Sequence, residues 1–174
     1  MKQGRLLFLG DSLLTDFDWQ ERLTHFTVLN FGIAGETAQG LLNRLPSIQE
    51  QVVDPQIIWI MTGTNNLLLE DYNFCETIQQ IVVSLSHWYP MAEIIINSLI
   101  PLQIEWLDKD EMQRINKEME ALSLQSGCCF LDMFAKFSAD IGLFRADGIH
   151  FTEKGYNLWA RSILEYIAFL VEDD

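Results

Sequence analysis

The sequence predicts an α/β fold, a three-layer α/β/α sandwich around a five-stranded parallel sheet with the flavodoxin-like order 2-1-3-4-5. Three observations lead there. Five short strand-like runs alternate with helix-compatible stretches. The first run, Leu6-Leu7-Phe8-Leu9, is apolar throughout and meets Gly10-Asp11-Ser12 directly, as a buried parallel strand ending in a turn does. No Ser-, Pro- or Gly-rich linker interrupts the alternation, so residues 1–174 are expected to form a single domain.

In chain order, residues 16–24 mix polar positions with Phe17, Trp19 and Leu23 and predict a helix of one or two turns. Residues 25–31 are rich in β-branched and aromatic side chains and predict strand two. Gly32 and Gly35 bracket a loop, and Leu41, Leu42, Leu45 and Ile48 then share one helical face. Residues 56–61 predict strand three, ending in Thr62-Gly63-Thr64-Asn65-Asn66. Asn73 is the expected cap of a helix over 74–89, with Ile78, Ile81, Val82 and Leu85 inward and Pro90 closing it. Residues 93–97 carry three isoleucines and predict strand four. Residues 108–126 are amphipathic, and Gly127 is placed to stop that helix. Residues 128–131 predict strand five, followed by a looser stretch over 132–141. Thr152 with Glu153 opens the last helix, whose inward residues are Trp159, Ile163, Tyr166 and Ile167.

A chain of 174 residues can bury a substantial core, and a formal charge of −14 disfavours a nucleic-acid partner or an anionic membrane surface. The first apolar run is too short for a secretory signal, and no run has the length of a membrane span. A cytoplasmic location is the expectation. Cys75, Cys128 and Cys129 are an odd number without metal-ligand spacing and predict core or near-core thiols rather than a disulfide framework.

Polar clusters follow the first three predicted strands: Asp11-Ser12, the loop with Gly35, and Thr64-Asn65-Asn66. In this topology all three share one edge of the sheet, where open α/β folds bind ligands. A fourth cluster, Asp147-Gly148-Ile149-His150, precedes the last helix. Acyl transfer needs a nucleophile, a base and a group that orients the base, and Ser12, His150 and Asp147 are of the right types. The N–H of Ser12, the N–H of Gly35 and the Asn65 amide would supply oxyanion donors. Read alone, Asp11 and Ser12 would be helix caps and Asn65 and Asn66 turn residues; their convergence with His150 favours chemistry. His25 and His87 are read as structural or solvated, Trp19, Trp88, Trp106 and Trp159 as core or pocket lining, and Glu172-Asp173-Asp174 as a solvated end.

Gly10-Asp11-Ser12-Leu13, the glycine of Ala34-Gly35-Glu36-Thr37, Gly63-Thr64-Asn65-Asn66 and Asp147-Gly148-Ile149-His150 resemble, in order and spacing, the four blocks of the GDSL/SGNH hydrolase family. The resemblance is to its platelet-activating-factor acetylhydrolase-like and lysophospholipase-like branch. It implies Ser12 as nucleophile, His150 as base, Asp147 as its partner, and Ser12, Gly35 and Asn65 as the oxyanion hole. It also implies a carboxylic ester substrate (short acyl, lysophospholipid-like or acetylated sugar) and no metal or organic cofactor. Ser98-Leu99-Ile100-Pro101 and Ile115-Asn116 are similar to further, non-catalytic segments of the family. Asn66 departs from the pattern, since many members carry Asp there, which bears on the support of Asn65 or on the substrate class. Three other readings compete. Asp11-Ser12-Leu13-Leu14-Thr15 partly resembles the haloacid-dehalogenase phosphatase motif, with Asp11 as nucleophile, but Leu13 stands where a second Asp is needed. A flavin-binding protein would need a Ser/Thr/Gly-rich phosphate cradle that the first loop lacks. A catalytically weak or dead binding module on the same fold is the third. The segment 102–110 with Trp106 is expected to line the substrate site or to make a homo-oligomer contact.

Overall fold

Strand β1 (Gly4–Gly10) is the organising element, because it pairs on both sides. With β2 (Phe26–Gly32), β3 (Ile57–Met61), β4 (Glu93–Asn97) and β5 (Cys129–Leu131) it forms one parallel sheet of order β2-β1-β3-β4-β5, as predicted. A computed structural model describes residues 4–172 of the chain. The side chains of the acidic end Glu172-Asp173-Asp174 lie outside what is described.

Successive strand residues face opposite sides, so the sheet carries two cores. Leu7, Leu9, Ile58, Ile60, Ile94 and Ile96 pack under α3 (Ala38–Gln49), α5 (Cys75–Trp88) and α6 (Lys109–Ser126). Leu6, Phe8, Trp59, Met61 and Ile95 pack under α1 (Ser12–Thr15), α2 (Trp19–Arg22), α7 (Phe134–Ser138) and α8 (Glu153–Glu172). The second core is strongly aromatic: Trp19 lies 4.8 Å from Phe8 and 4.9 Å from Trp159, and Phe17 stacks on Tyr156 at 4.6 Å. Each such side chain, once fully buried, contributes about 1.5–3 kcal/mol. The Trp159 indole N–H also donates to Asn97 Oδ1 at 2.9 Å, tying α8 to the end of β4. These contacts dock the C-terminal helix beside β1 and so bring the segment before it to Ser12.

Caps explain most helix boundaries. Asp108 Oδ1 accepts from the Asp110 N–H at the start of α6, and Gly127 ends that helix at φ +68°. Thr152 Oγ1 accepts from the Gly155 N–H and starts α8, as expected. The predicted short helix over 16–24 is the single turn of α2, capped by Asp18, and a separate turn, α1, precedes it and begins at Ser12 itself. Asn73 is not a cap. Its N–H donates to Asp71 Oδ1 at 3.1 Å, and α5 begins behind Phe74, whose buried ring occupies the space a Gly63 Cβ would need. The loose stretch over 132–141 contains α7, too short for periodicity to reveal. Trp19 and Trp159 are buried as expected, but Trp106 is 55% exposed and belongs to no core. No helix of the described residues is long and apolar enough to cross a membrane.

Candidate active site

Sheet register builds the site. Gly10 at the end of β1 pairs with Gly32 of β2 and Met61 of β3, so the residues leaving all three strands emerge level with one another. Asp11-Ser12, the loop 33–37 and the short α4 (Thr64–Leu68) therefore sit side by side at the carboxyl edge.

Ser12 opens α1, one residue after the cap Asp11, whose Oδ1 accepts the Leu13 N–H at 3.0 Å. Among the described residues the Ser12 N–H has no acceptor, as befits the first position of a helical turn. Asp11 is fully buried, and its Oδ2 has no partner of good hydrogen-bond geometry. Burial pushes this carboxyl up to about 7, opposed by the Leu13 N–H, the Thr64 hydroxyl and His150. So enclosed a group has no path to a substrate, which removes the basis for reading Asp11 as a nucleophile.

Asp147 and His150 lie on a tight loop closed by the Phe144–Phe151 bridge and by the Arg145 N–H donating to the His150 carbonyl at 2.7 Å. Gly148 turns that loop at φ +71°. A Cβ there would lie 2.4 Å from the Gln103 carbonyl, and the Gln103 N–H donates to the Gly148 carbonyl at 2.8 Å. His150 Nδ1 is 2.7 Å from Asp147 Oδ2, and His150 Nε2 is 3.0 Å from Ser12 Oγ. Asp147 Oδ1 meanwhile accepts the N–H groups of Ile149 and His150, both at 2.9 Å. Desolvation works against the Asp147 charge, but the His150 ring and the two backbone donors outweigh it and lower the carboxyl to about 2. An ionised carboxylate can only accept, so Nδ1 presents its N–H to Asp147 and Nε2 is the ring nitrogen that faces Ser12.

Gly35 is exposed at φ +79°, with open space around a would-be Cβ and no acceptor for its N–H among the described residues. Asn65 donates one amide hydrogen to the Glu36 carbonyl at 2.9 Å, which fixes the amide and leaves its second hydrogen available. Asn66 is a brace. Its Oδ1 accepts the Ala38 N–H at 2.9 Å, and its Nδ2 donates to Asp71 Oδ2 at 2.8 Å, linking α4 to the start of α3. An Asp at 66 would confront Asp71, so Asn suits this partner. Asn116 plays a comparable part by bonding the Leu99 N–H and carbonyl, in keeping with a non-catalytic role for that segment.

Two residues that sequence reasoning passed over bear on the site: Glu36 and Arg44, whose ion pair holds the loop carrying Gly35. Their eight-residue separation has no signature in the sequence. His25 and His87 are exposed and take no part. The three cysteines are free and half-buried, and burial pushes Cys75 up to about 12 and Cys128 up to about 11.

Residues 8–158 match the model of the GDSL-like lipase/acylhydrolase family. The chain is 26% identical over 189 residues to the platelet-activating factor acetylhydrolase IB subunit alpha1 of Bos taurus, covering 99% of this chain and 79% of that one. It is 33% identical over 104 residues to the alpha2 subunit of Homo sapiens, covering 58% of this chain and 45% of that one. Among solved structures, a GDSL-like lipase from Bacteroides thetaiotaomicron shares the fold with a TM-score of 0.78 at 21% identity, covering 97% of this chain and 89% of the other. The esterase EstA of Pseudoalteromonas sp. shares it with a TM-score of 0.80 at 17% identity, covering 97% and 98%. The chain belongs to the GDSL-like lipase/acylhydrolase family of ester hydrolases.

Proposed function

We propose that the chain hydrolyses short-acyl carboxylic esters through a Ser12–His150–Asp147 triad and an acyl-enzyme intermediate. The observation that carries this reading is the continuous relay of 3.0 Å and 2.7 Å from Ser12 Oγ through the His150 ring to Asp147. His150 Nε2 takes the Ser12 proton as Oγ attacks the ester carbonyl. The oxyanion is received by the N–H of Ser12, the N–H of Gly35 and the free amide hydrogen of Asn65. As the tetrahedral intermediate collapses, the alcohol leaves with the proton held on His150. Water, deprotonated by the same nitrogen, then releases the acid and restores Ser12.

The acetyl ester named for the platelet-activating factor relatives favours a short acyl group here as well. An open cavity of about 500 Å³, lined in part by Leu102, Ile104, Leu107 and Ile141, adjoins the triad loop where Gln103 meets Gly148. Gln103, Glu105, Asp108 and Lys109 complete its lining, so it offers a mixed polar and apolar resting place for part of the ester, and Trp106 is not among its walls.

The test is hydrolysis of p-nitrophenyl esters from acetate to palmitate by the wild type and by Ser12→Ala. Turnover is expected in the wild type, best with the short acyl groups, and none in the variant. Asn65→Ala should lower kcat by about 10²–10³. A fluorophosphonate should label the wild type at Ser12. A Ser12→Ala protein that keeps the wild-type rate sinks the assignment.

A further inference from the structure

We infer that Arg44 is a positioning residue for the oxyanion hole, acting through Glu36 on both Gly35 and Asn65; this rests on the reading of Gly35 and Asn65 as oxyanion donors. The loop 33–37 faces solvent at Ile33, Ala34 and Gly35 and turns through a left-handed glycine, so it has little packing of its own. One turn bond, from the Glu36 N–H to the Ile33 carbonyl at 3.2 Å, closes it across Gly35, and the rest of its geometry is set from its two ends.

Arg44, near the middle of α3, reaches back across both. Its Nε donates to Glu36 Oε1 at 2.5 Å and its Nη2 to Glu36 Oε2 at 2.7 Å. The same Nη2 donates to the Phe31 carbonyl on β2, before the loop begins. One planar guanidinium thus spans the strand end and the loop end. The Glu36 it grips is the residue that follows Gly35 and whose carbonyl holds the Asn65 amide at 2.9 Å. Shifting Glu36 moves two of the three donors together.

Exposed ion pairs hold little in place, but here the side chains are only 19% and 8% exposed and the contact is bidentate. A lysine keeps the charge without the fork, so it cannot serve both carboxylate oxygens and the Phe31 carbonyl at once. Donors that meet the oxyanion only in the transition state act on kcat rather than on substrate affinity. Misplacement by about 1 Å can cost about 10²-fold in rate.

The experiment measures p-nitrophenyl acetate kinetics for Arg44→Met, Arg44→Lys and Glu36→Gln, each alone and combined with Asn65→Ala. Arg44→Met is expected to lower kcat by about 10- to 100-fold with KM within about twofold, and Arg44→Lys to recover part of the loss. Combined with Asn65→Ala, the loss should fall well short of the product of the single losses, because the two changes strike one element. Should Arg44→Met fold poorly, Glu36→Gln, which keeps the carbonyl that holds Asn65, is expected to give a smaller loss in the same direction. Unchanged kcat in both folded variants, or losses that simply multiply with Asn65→Ala, overturn the proposal. Failure of the underlying reading shows separately, as wild-type rates in Ser12→Ala or in Asn65→Ala alone.

Discussion

The buried carboxyl of Asp11, the residue before Ser12, should contribute less to folding stability as pH rises. In the unfolded chain this group ionises near its ordinary 3.8, whereas burial holds it protonated to about 7 in the folded protein. Between those values the native state binds the additional proton, so the Asp11 contribution is fully present below about pH 4 and is lost progressively up to about pH 7. A difference of about three pH units at about 1.4 kcal/mol each gives a loss of about 4 kcal/mol. Asp147 is shifted the opposite way, and its stabilisation is lost only as pH falls below about 4, a window that does not overlap. Asp11→Asn keeps the acceptor for the Leu13 N–H and removes the ionisation. Urea unfolding of both proteins, in steps from about pH 4 to about pH 8, isolates the effect, since the other charges are common to both. The variant's stability relative to wild type should climb by up to about 4 kcal/mol across this range and level off above pH 7. A difference that stays constant with pH, or that falls, would refute the account of a protonated Asp11.

Two further outcomes follow from the hydrogen bonds. Asp147→Asn should keep the fold, because its Oδ1 can still accept the Ile149 and His150 N–H groups, with a modestly lower melting temperature at neutral pH as the carboxylate's stabilisation is lost, and kcat should drop by about 10⁴ as the imidazole loses its orienting charge. Steady-state kinetics beside a melting curve checks both halves of that statement. Asn66→Asp should destabilise the protein by about 1–3 kcal/mol at neutral pH, because a second carboxylate replaces the donor to Asp71 Oδ2. Adding Asp71→Asn should restore most of that loss in urea unfolding; no recovery would show that the brace works some other way.

The serine reading and the positioning of the oxyanion loop meet at Glu36. Its carbonyl orients the Asn65 amide, and its carboxylate is gripped by Arg44, so a single loop residue joins α3, α4 and β2 at the site. This gives a solvent-facing glycine loop a defined shape without burying it and keeps the space beside Gly35 open.

The sequence by itself determined the layered α/β architecture, because strand and helix periodicity and turn chemistry are written in a few consecutive residues. The apolar run into Gly10-Asp11-Ser12, the isoleucines of β4 and the glycine after α6 each carried their assignment locally. It also located the clusters at Ser12, Gly35 and Asn65, since each directly follows a strand whose end the topology places at one edge. Asp147 and His150 were legible as a spaced pair. Only the tertiary structure decided that His150 meets Ser12, 138 residues away, because that contact depends on how the aromatic core docks α8 against β1. The same holds for the Glu36–Arg44 clamp and for the Asn66–Asp71 pairing: both depend on which side chains helix packing turns toward each other. Asn73 illustrates the limit from the other side, for its capping preference was local, while Asp71 and the buried ring of Phe74 decided where α5 begins. Burial is likewise a property of the assembled core, so a protonated Asp11 and an exposed Trp106 were beyond any local pattern.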